Sequence, residues 1–374
     1  MFRSGISTLV YAVATFVLIA PFFCASATST PQAVEATPEY NLYFGDLHAH
    51  TSFSDGLGTP ADAYASAIEG GADFMATTDH HYLLSDEDWE ETKLIASQFT
   101  DSDFVAIAGF ENFITGWGEV NVFNYPEKNM GVWDSGYKGI PHPTALPTFY
   151  DILTAATDAV GLWTHPTWAY SKEFDDFAYM TESRDQGIGL CEIHNYGNWE
   201  YYGWIDDEPS FQKALDAGWH VMPAANSDTH ADNWIVGYEC RTVLLAESLT
   251  DENLYDAMVA RRGYATIDKN LRLDFELNGE IMGSILPAPA AKYAATIHIE
   301  DPDHIPSDDI TLVEIISDFG EVVATLECGA TTVDWTVTLK SHDARYFYVR
   351  VSTASNVPGE QGLTAWSAPI WTGL

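Results

Sequence analysis

The chain has 374 residues and a formal net charge of −39, from 55 acidic against 16 basic side chains, so phosphate backbones and anionic membranes would be repelled by it. Nucleic acid is thereby excluded as a stable partner, and the acidity suits solvation in an external medium. With 12 Trp, 19 Tyr and 19 Phe the chain is too apolar for disorder, and its length exceeds the roughly 100–200 residues of one domain, so one large and one smaller domain are expected.

In chain order, Arg3, an apolar run over 9–24 and the small residues Ala25-Ser26-Ala27 form the three parts of a secretory signal. Cleavage is expected near Thr28, giving a signal peptide over 1–27 and a secreted or periplasmic protein. Pro21 interrupts the run, which is shorter than the roughly 20 residues a spanning helix needs, so no membrane span is expected after cleavage. Cys24 follows Phe22-Phe23 rather than small residues, which disfavours a lipidated cysteine. Residues 28–39, rich in Ala, Thr and Pro at their start, read as a disordered leader. Cys191, Cys240 and Cys328 remain, an odd number that allows at most one internal bridge.

Over 40–268, apolar strand-like runs alternate with helical patterns, as in repeated βα units. Strands are expected at 41–46, 72–77, 104–110, 160–164, 188–191 and 220–225, each followed by residues with metal-binding chemistry. In order these are His48 and His50; Asp79 and His80; Glu111; His165; Glu192 and Asn195; and Asp228 and His230. In His48-Ala49-His50 the two-residue period of an extended chain turns both imidazoles to one face, where both reach one cation. Imidazole with carboxylate suits Zn, Mn or Fe. In a barrel of parallel strands the carboxyl ends converge on one rim, so groups far apart in sequence share one site. Helices are expected at 59–70, 86–99 and 250–262, with Gly263 as the stop of the last. Over 269–374 the texture changes to short alternating runs at 271–277, 294–299, 310–317, 322–328, 333–339 and 346–351, a pattern that fits a small β-sandwich.

Gly45-Asp46-Leu47-His48-Ala49-His50-Thr51, Ser54-Asp55-Gly56, Thr78-Asp79-His80, Gly109-Phe110-Glu111, Thr164-His165-Pro166, Glu192-Ile193-His194-Asn195 and Ser227-Asp228-Thr229-His230, in this order, resemble the PHP (polymerase and histidinol phosphatase) superfamily over about two thirds of the chain. Tyr346-Phe347-Tyr348-Val349-Arg350-Val351 and Ala365-Trp366-Ser367-Ala368-Pro369-Ile370-Trp371 are similar to the carbaryl-hydrolase-like branch. The resemblance implies an α/β fold: a distorted (β/α)7 TIM-like barrel of the PHP type with two or three divalent metals at its carboxyl rim, followed by a small C-terminal β-sandwich. It implies one cation on His48, His50, Glu111 and Asp228, with Glu111 bridging to a second that His165 also holds. Asp55, His80 and His230 would hold a third. The family pattern usually offers a further His shortly after the glutamate strand, and here Glu119 stands in its place. Glu119 ligating through oxygen, His142 reaching in from a Pro-rich insertion, or a weak or absent second metal are the alternatives.

A single His is more often a hydrogen-bonded structural residue than a ligand; ligands in matching order reverse that preference. Asp79 and Glu192 are expected to orient neighbouring imidazoles or close strands by hydrogen bonds. His81 and His194 adjoin ligand positions and are candidates for proton transfer or substrate contact, and Asn195 and Arg241 for substrate binding. Trp117, Trp133, Trp163, Trp168, Trp199, Tyr201 and Tyr202 are candidates for an aromatic wall, with core packing the default for most.

The expected activity is that of a secreted metal-dependent phosphoesterase hydrolysing a small phosphomonoester or phosphodiester through a metal-activated hydroxide. The runner-up is hydrolysis of a carbamate, carboxylic ester or amide at the same centre. Amidohydrolases also begin with His-x-His but often use a bridging lysine, and no Lys ends an expected strand here. A non-enzymatic alternative is a secreted metal- and glycan-binding protein, against which stands the open, many-donor rim, since structural zinc sites close with four ligands.

Overall fold

The structure, a computed structural model, describes residues 1, 39–128, 130, 143–156, 158–168, 172–197, 207–340, 343–354 and 362–374. The expected signal peptide and leader, His142, Trp133, Trp199, Tyr201 and Tyr202 lie outside the described residues. Among the described residues no helix is long and apolar enough to cross a membrane.

The fold is mixed α/β. Its first nine strands are β1 (Asn41–Asp46), β2 (Phe74–Thr77), β3 (Val105–Ile114), β4 (Gly118–Phe123), β5 (Val160–Thr164), β6 (Ile188–Asn195), β7 (Met222–Asn226), β8 (Arg241–Ala246) and β9 (Gly263–Thr266). Strands β1 to β7 lie side by side in sequence order, parallel except that β4 runs antiparallel to both β3 and β5. The two ends of this row meet. The backbone after β7 pairs in parallel with the backbone after β1, Ala49 against Thr229, with His50 N donating to Thr229 O at 2.9 Å and Asp228 N to His48 O at 2.8 Å. On its other side β1 pairs antiparallel with β8, whose Thr242 Oγ1 bonds Asn226 Oδ1 at the end of β7 at 2.9 Å. Strands β2, β5, β6 and β7 are buried along their whole length, so none shows the polar alternation of a half-exposed strand.

Two helices over the β1 to β3 side begin where their sequences dictate. Thr59 caps Pro60–Glu69 and Ser85 caps Asp86–Phe99, each completing a reciprocal box with an Asp three residues on. From the first, buried Tyr64 donates to Ile107 O in β3 at 2.8 Å. The helix expected over 250–262 is shorter, Asp251–Val259. The helix has already ended at its cap Ala260, and Gly263 opens β9, where a side chain would meet Val243 O of the neighbouring strand at 2.2 Å. The expected end of the third strand is also exceeded. It runs through Glu111 to Ile114 and turns into β4, so Glu111 sits inside a strand, opposite Asn121.

The remaining strands are β10 (Arg272–Leu277), β11 (Glu280–Ile281), β12 (Tyr293–Glu300), β13 (Ile310–Ser317), β14 (Glu321–Ala330), β15 (Thr332–Leu339), β16 (Tyr346–Thr353), β17 (Leu363–Ser367) and β18 (Ile370–Trp371). β11, β10, β12 and β15 form one sheet with alternating burial in β10 and β12. Its inner residues Leu273, Phe275, Tyr293 and Ile297 share a core with Val313, Ile315, Phe347 and Val349, the Tyr293 and Phe347 rings lying 5.3 Å apart. β14, β13, β16 and β17 continue through β9 into the main sheet, β17 pairing antiparallel with β9 at Ala365 and Thr266. Charged contacts fasten the helix Glu208–Asp216 to β16 and the residue before it: Arg350 Nη1 lies 3.0 Å from Glu208 Oε2 and Arg345 Nη2 2.8 Å from Asp216 Oδ1. Cys191, Cys240 and Cys328 are all free, the first two buried.

Candidate metal centre

The seam where β7 meets β1 carries the site. β1 ends at Asp46, and after a bend at Leu47 the backbone pairs again at Ala49; His48 and His50 flank that pairing, both buried, with their Nε2 atoms 3.3 Å apart. Across the seam Asp228 offers Oδ1 at 3.2 Å from His48 Nε2 and 3.0 Å from His50 Nε2. Asp228 has φ +50 and His165, following β5, has φ +26. For non-glycine residues this left-handed geometry costs on the order of 1–3 kcal/mol and persists only where neighbours over-determine it.

Glu111 stands at the middle. Its Oε1 is 3.2 Å from both His48 Nε2 and His165 Nε2, while its Oε2 is 2.8 Å from His80 Nδ1 and 3.6 Å from His50 Nε2. One carboxylate therefore faces two sets of imidazoles. At the outer end Asp55 Oδ1 lies 3.7 Å from His80 Nε2 and 3.4 Å from His230 Nε2, and the rings of His50 and His230 stack at 4.1 Å. Glu119, on β4, reaches the same place: Oε2 is 3.6 Å from His165 Nε2 and Oε1 3.8 Å from His80 Nδ1.

These groups polarise each other strongly. Burial opposes charge on His48, but the carboxylates of Asp228, Glu192 and Glu111 outweigh it and raise its pKa well above the imidazole value. His165 is pushed up to about 9 against its own burial, by its bond and charge contact with Glu111. Burial would raise Glu111, yet His48 and His80 hold it well below the usual carboxylate range. Glu119 goes the other way, to about 7, because burial and the neighbouring Glu111 charge both disfavour its anion.

The donor set fits divalent metals on its own chemistry. His50, Asp55, His80 and His230 each bring a ligand atom within 4.8 Å of the others, as do His48, His50 and Glu111; His48, His165 and Asp228; and His80, Glu111 and Glu119. Glu119 Oε1 is buried without a hydrogen-bond partner, and Glu111 Oε2 and Asp228 Oδ1 face only imidazole nitrogens, as oxygens aimed at a cation would. Mixed imidazole and carboxylate donors suit Zn, Mn or Fe.

Around this set, Glu192 takes His48 Nδ1 at 2.9 Å, the His165 N–H at 2.7 Å, and the side-chain amides of Asn226 and Asn195 at 2.9 and 3.0 Å. Its tie to Nδ1 leaves His48 Nε2 for the centre. Asp79 bonds no imidazole; it accepts from Thr51 N at 2.8 Å and Ser54 Oγ at 2.6 Å, shaping the loop that carries Asp55. Asn195 Nδ2 donates to Glu192 and, at 3.2 Å, to Asp228 Oδ2.

Arg241, His81 and His194, expected at the site, are not among the residues that line its cavity. Arg241 corrects the expectation of a substrate contact: its buried guanidinium donates to the carbonyls of Tyr238 and Cys240 at 2.9 and 2.7 Å and so serves the preceding turn. His81 takes the Phe113 N–H on Nδ1 at 3.2 Å, against β3. His194 is turned by a register shift in β6 between Glu192 and His194 into a separate cleft beside Tyr196 and Tyr238, where burial lowers its pKa to about 4. The site cavity itself, about 230 Å³, is lined by Asp55, His80, Glu111, Glu119, His165 and Asp228, with His230, Trp168 and Tyr82 completing the wall. Tyr82 stacks on His80 at 5.2 Å and escaped the sequence reading, although its place two residues after a ligand candidate was a usable signal. Of the other aromatic candidates, Trp163 is core, packed between Phe174 and Trp219, and Trp117 is buried in the same cluster.

The geometry thus defines a buried His and carboxylate centre whose donors fall into overlapping groups able to hold a divalent metal. No family model matches the chain. An uncharacterised protein of Chlamydia pneumoniae is 29% identical over 147 residues, which cover 36% of this chain and 22% of that protein. The chain thus spans about a fifth of the length of that curated relative. Among solved structures, the chain is similar to a Bacteroides vulgatus two-domain protein containing a predicted PHP-like metal-dependent phosphoesterase, with 16% identity, TM-score 0.46, and coverage of 89% of this chain and 97% of that one. A candidate metal-dependent phosphoesterase of Bifidobacterium adolescentis gives 16% identity and TM-score 0.34 over 58% of this chain and 96% of that one. An amidohydrolase of Chromobacterium violaceum gives 14% identity and TM-score 0.31 over 50% and 87%.

Proposed function

We propose that the protein is a secreted metal-dependent hydrolase of small phosphate esters, with its centre at the rim of a PHP-type seven-stranded barrel and a C-terminal β-sandwich behind it. The observation that carries this reading is Glu111, whose two oxygens face separate imidazole sets within one cavity. His48, His50, Glu111 and Asp228 would hold one cation, Glu111, His165 and Glu119 a second, and Asp55, His80 and His230 a third. When bound, such cations polarise substrate oxygens and lower the pKa of coordinated water towards neutrality.

The chain's own residues do the rest. Glu192 fixes the His48 tautomer and, through the His165 amide, the strained turn after β5. Trp168, beside His165, and Tyr82, stacked on His80, add apolar surface to the cavity wall. At about 230 Å³ the cavity admits a phosphate-sized head group, and a larger leaving group would extend towards the half-exposed His230. A phosphoryl group has three peripheral oxygens to share among several subsites, which an ester carbonyl does not. The seam pairing of Ala49 with Thr229 supports the barrel, and the shared core of the two C-terminal sheets supports the sandwich.

The test is hydrolysis of p-nitrophenyl phosphate, bis-p-nitrophenyl phosphate and p-nitrophenyl acetate, before and after chelation and after metal is restored. Chelation-sensitive turnover of a phosphate probe is expected. Turnover of the acetate alone would assign the centre to carboxyl esters instead.

A further inference from the structure

Away from the histidine centre, three acidic side chains from separate connections converge. Asp268 lies in the turn after β9, Asp301 directly follows β12, and Asp308 ends the short 3-10 turn Pro306–Asp308 before β13. One carboxylate oxygen from each lies within 4.8 Å of the other two. Among the described residues none of the three has a salt bridge; the adjacent Lys269 is spent on Asp303 at 3.3 Å.

A second observation separates this cluster from ordinary surface acidity. Asp301 is fully buried, at 0% exposure, and while its Oδ1 accepts the Asp303 N–H at 3.0 Å, its Oδ2 has no partner. A buried carboxylate oxygen with neither donor nor cation is costly, and two further carboxylates beside it add repulsion. The loops are nonetheless braced to hold it there: Asp268 Oδ1 accepts the Asn270 and Leu271 N–H groups, both at 2.9 Å, and Asp301 N donates to Thr331 O at 2.7 Å. Asn270, two residues from Asp268, has its Oδ1 equally buried and unpartnered.

We propose that Asp268, Asp301 and Asp308 form a calcium site that ties together the connections leading from β9, β12 and the turn before β13. An all-oxygen donor set with no imidazole or thiolate selects a hard cation, and Ca²⁺, which completes six to eight ligands flexibly with water, suits three side chains from three loops better than Mg²⁺. The ion neutralises the three charges and takes the free oxygen of Asp301 as a ligand. Its place is distinct from the hydrolytic centre: Asp268 and Asp308 line the cleft of about 390 Å³ that also contains His194, Tyr196 and Tyr238.

The experiment is Ca²⁺ titration by calorimetry on the full chain, with Tb³⁺ luminescence as a parallel readout because Tyr196 and Tyr238 border the same cleft. Four proteins are compared: wild type, Asp301→Asn, Asp308→Asn, and His48→Ala with His50→Ala. Wild type is expected to bind one Ca²⁺ with Kd on the order of 0.1–1 mM, and the double histidine variant to bind it equally. Each Asp variant is expected to weaken binding at least ten-fold while keeping the far-UV spectrum, Asp308 being only half-buried and so the safer substitution for folding. Unchanged Ca²⁺ binding in both Asp variants, binding lost only in the histidine variant, or no Ca²⁺ binding by wild type would overturn the proposal. The last result would mean that Asp301 carries a proton shared with its neighbours.

Discussion

Glu192 does not line the cavity, yet four donors converge on it, and this makes it the residue whose charge the centre most needs for alignment. Glu192→Gln would set an amide NH2 against one pair of those donors. Metal affinity or kcat is expected to fall about 10–100-fold, measured by metal titration against a chromophoric chelator and by phosphatase rate. Glu119→Gln is expected to lower the metal content by a fraction of an equivalent or more, read by elemental analysis, because its carboxylate would be the second cation's added oxygen donor. A pH effect belongs to Asp207, whose Oδ1 accepts from Thr167 while its Oδ2 is buried and unpartnered. Burial raises its pKa from 3.8 to about 7. The folded state then binds more protons than the unfolded chain between those values, so this group's contribution falls as pH rises from about 4 to about 7, by up to about 1.4 kcal/mol per pH unit. Urea unfolding at several pH values should show that slope reduced in Asp207→Asn.

The strands explain what was legible and what was not. His48 and His50 could be read from sequence because a two-residue period is local, and the capped helices 60–69 and 86–99 because a box of Thr or Ser with Asp is local too. The strand carrying Glu119 was not predicted: β4 exists only through its pairing with β3 and β5, a tertiary circumstance. Likewise the shift in β6 that turns His194 away from the centre leaves no mark in the spacing of Glu192 and His194, and Arg241 looked available for substrate only until its carbonyl partners were seen. Gly197, two residues beyond β6, passes so near β7's end that an added Cβ would meet Asp228 O at 2.6 Å. Gly197→Ala is therefore expected to displace Asp228 and reduce kcat about 10–100-fold, with the far-UV spectrum and the Ca²⁺ site unchanged. Arg350→Met, by contrast, would leave Glu208 buried opposite an apolar chain, and a stability loss of about 3 kcal/mol is expected in urea titration.

At the scale of the molecule, residues scattered from His48 to His230 become neighbours because the backbone after β7 pairs with the backbone after β1 at Thr229 and Ala49. The order of the motif blocks made that convergence readable; the continuity of β17 with β9, which joins the C-terminal sheets to the first nine strands, was not readable from local pattern. With so strong a negative charge, bound cations, rather than Lys or Arg, would have to draw the proposed phosphate ester into the site. A metal that binds only the folded chain also stabilises it, by about 2.7 kcal/mol at free metal one hundred times its Kd, so chelation is expected to lower the Tm. The central claim is that a cluster of cations bridged by Glu111 performs hydrolysis. Its most direct test is the phosphate-ester rate of metal-free protein as Zn²⁺, Mn²⁺ or Fe²⁺ is added back in measured equivalents. The account predicts a rate that starts near zero and saturates at two or more equivalents per chain in wild type, and stays below a hundredth of that in Glu111→Gln. A full rate without metal, or saturation at one equivalent with Glu111→Gln unimpaired, would contradict it.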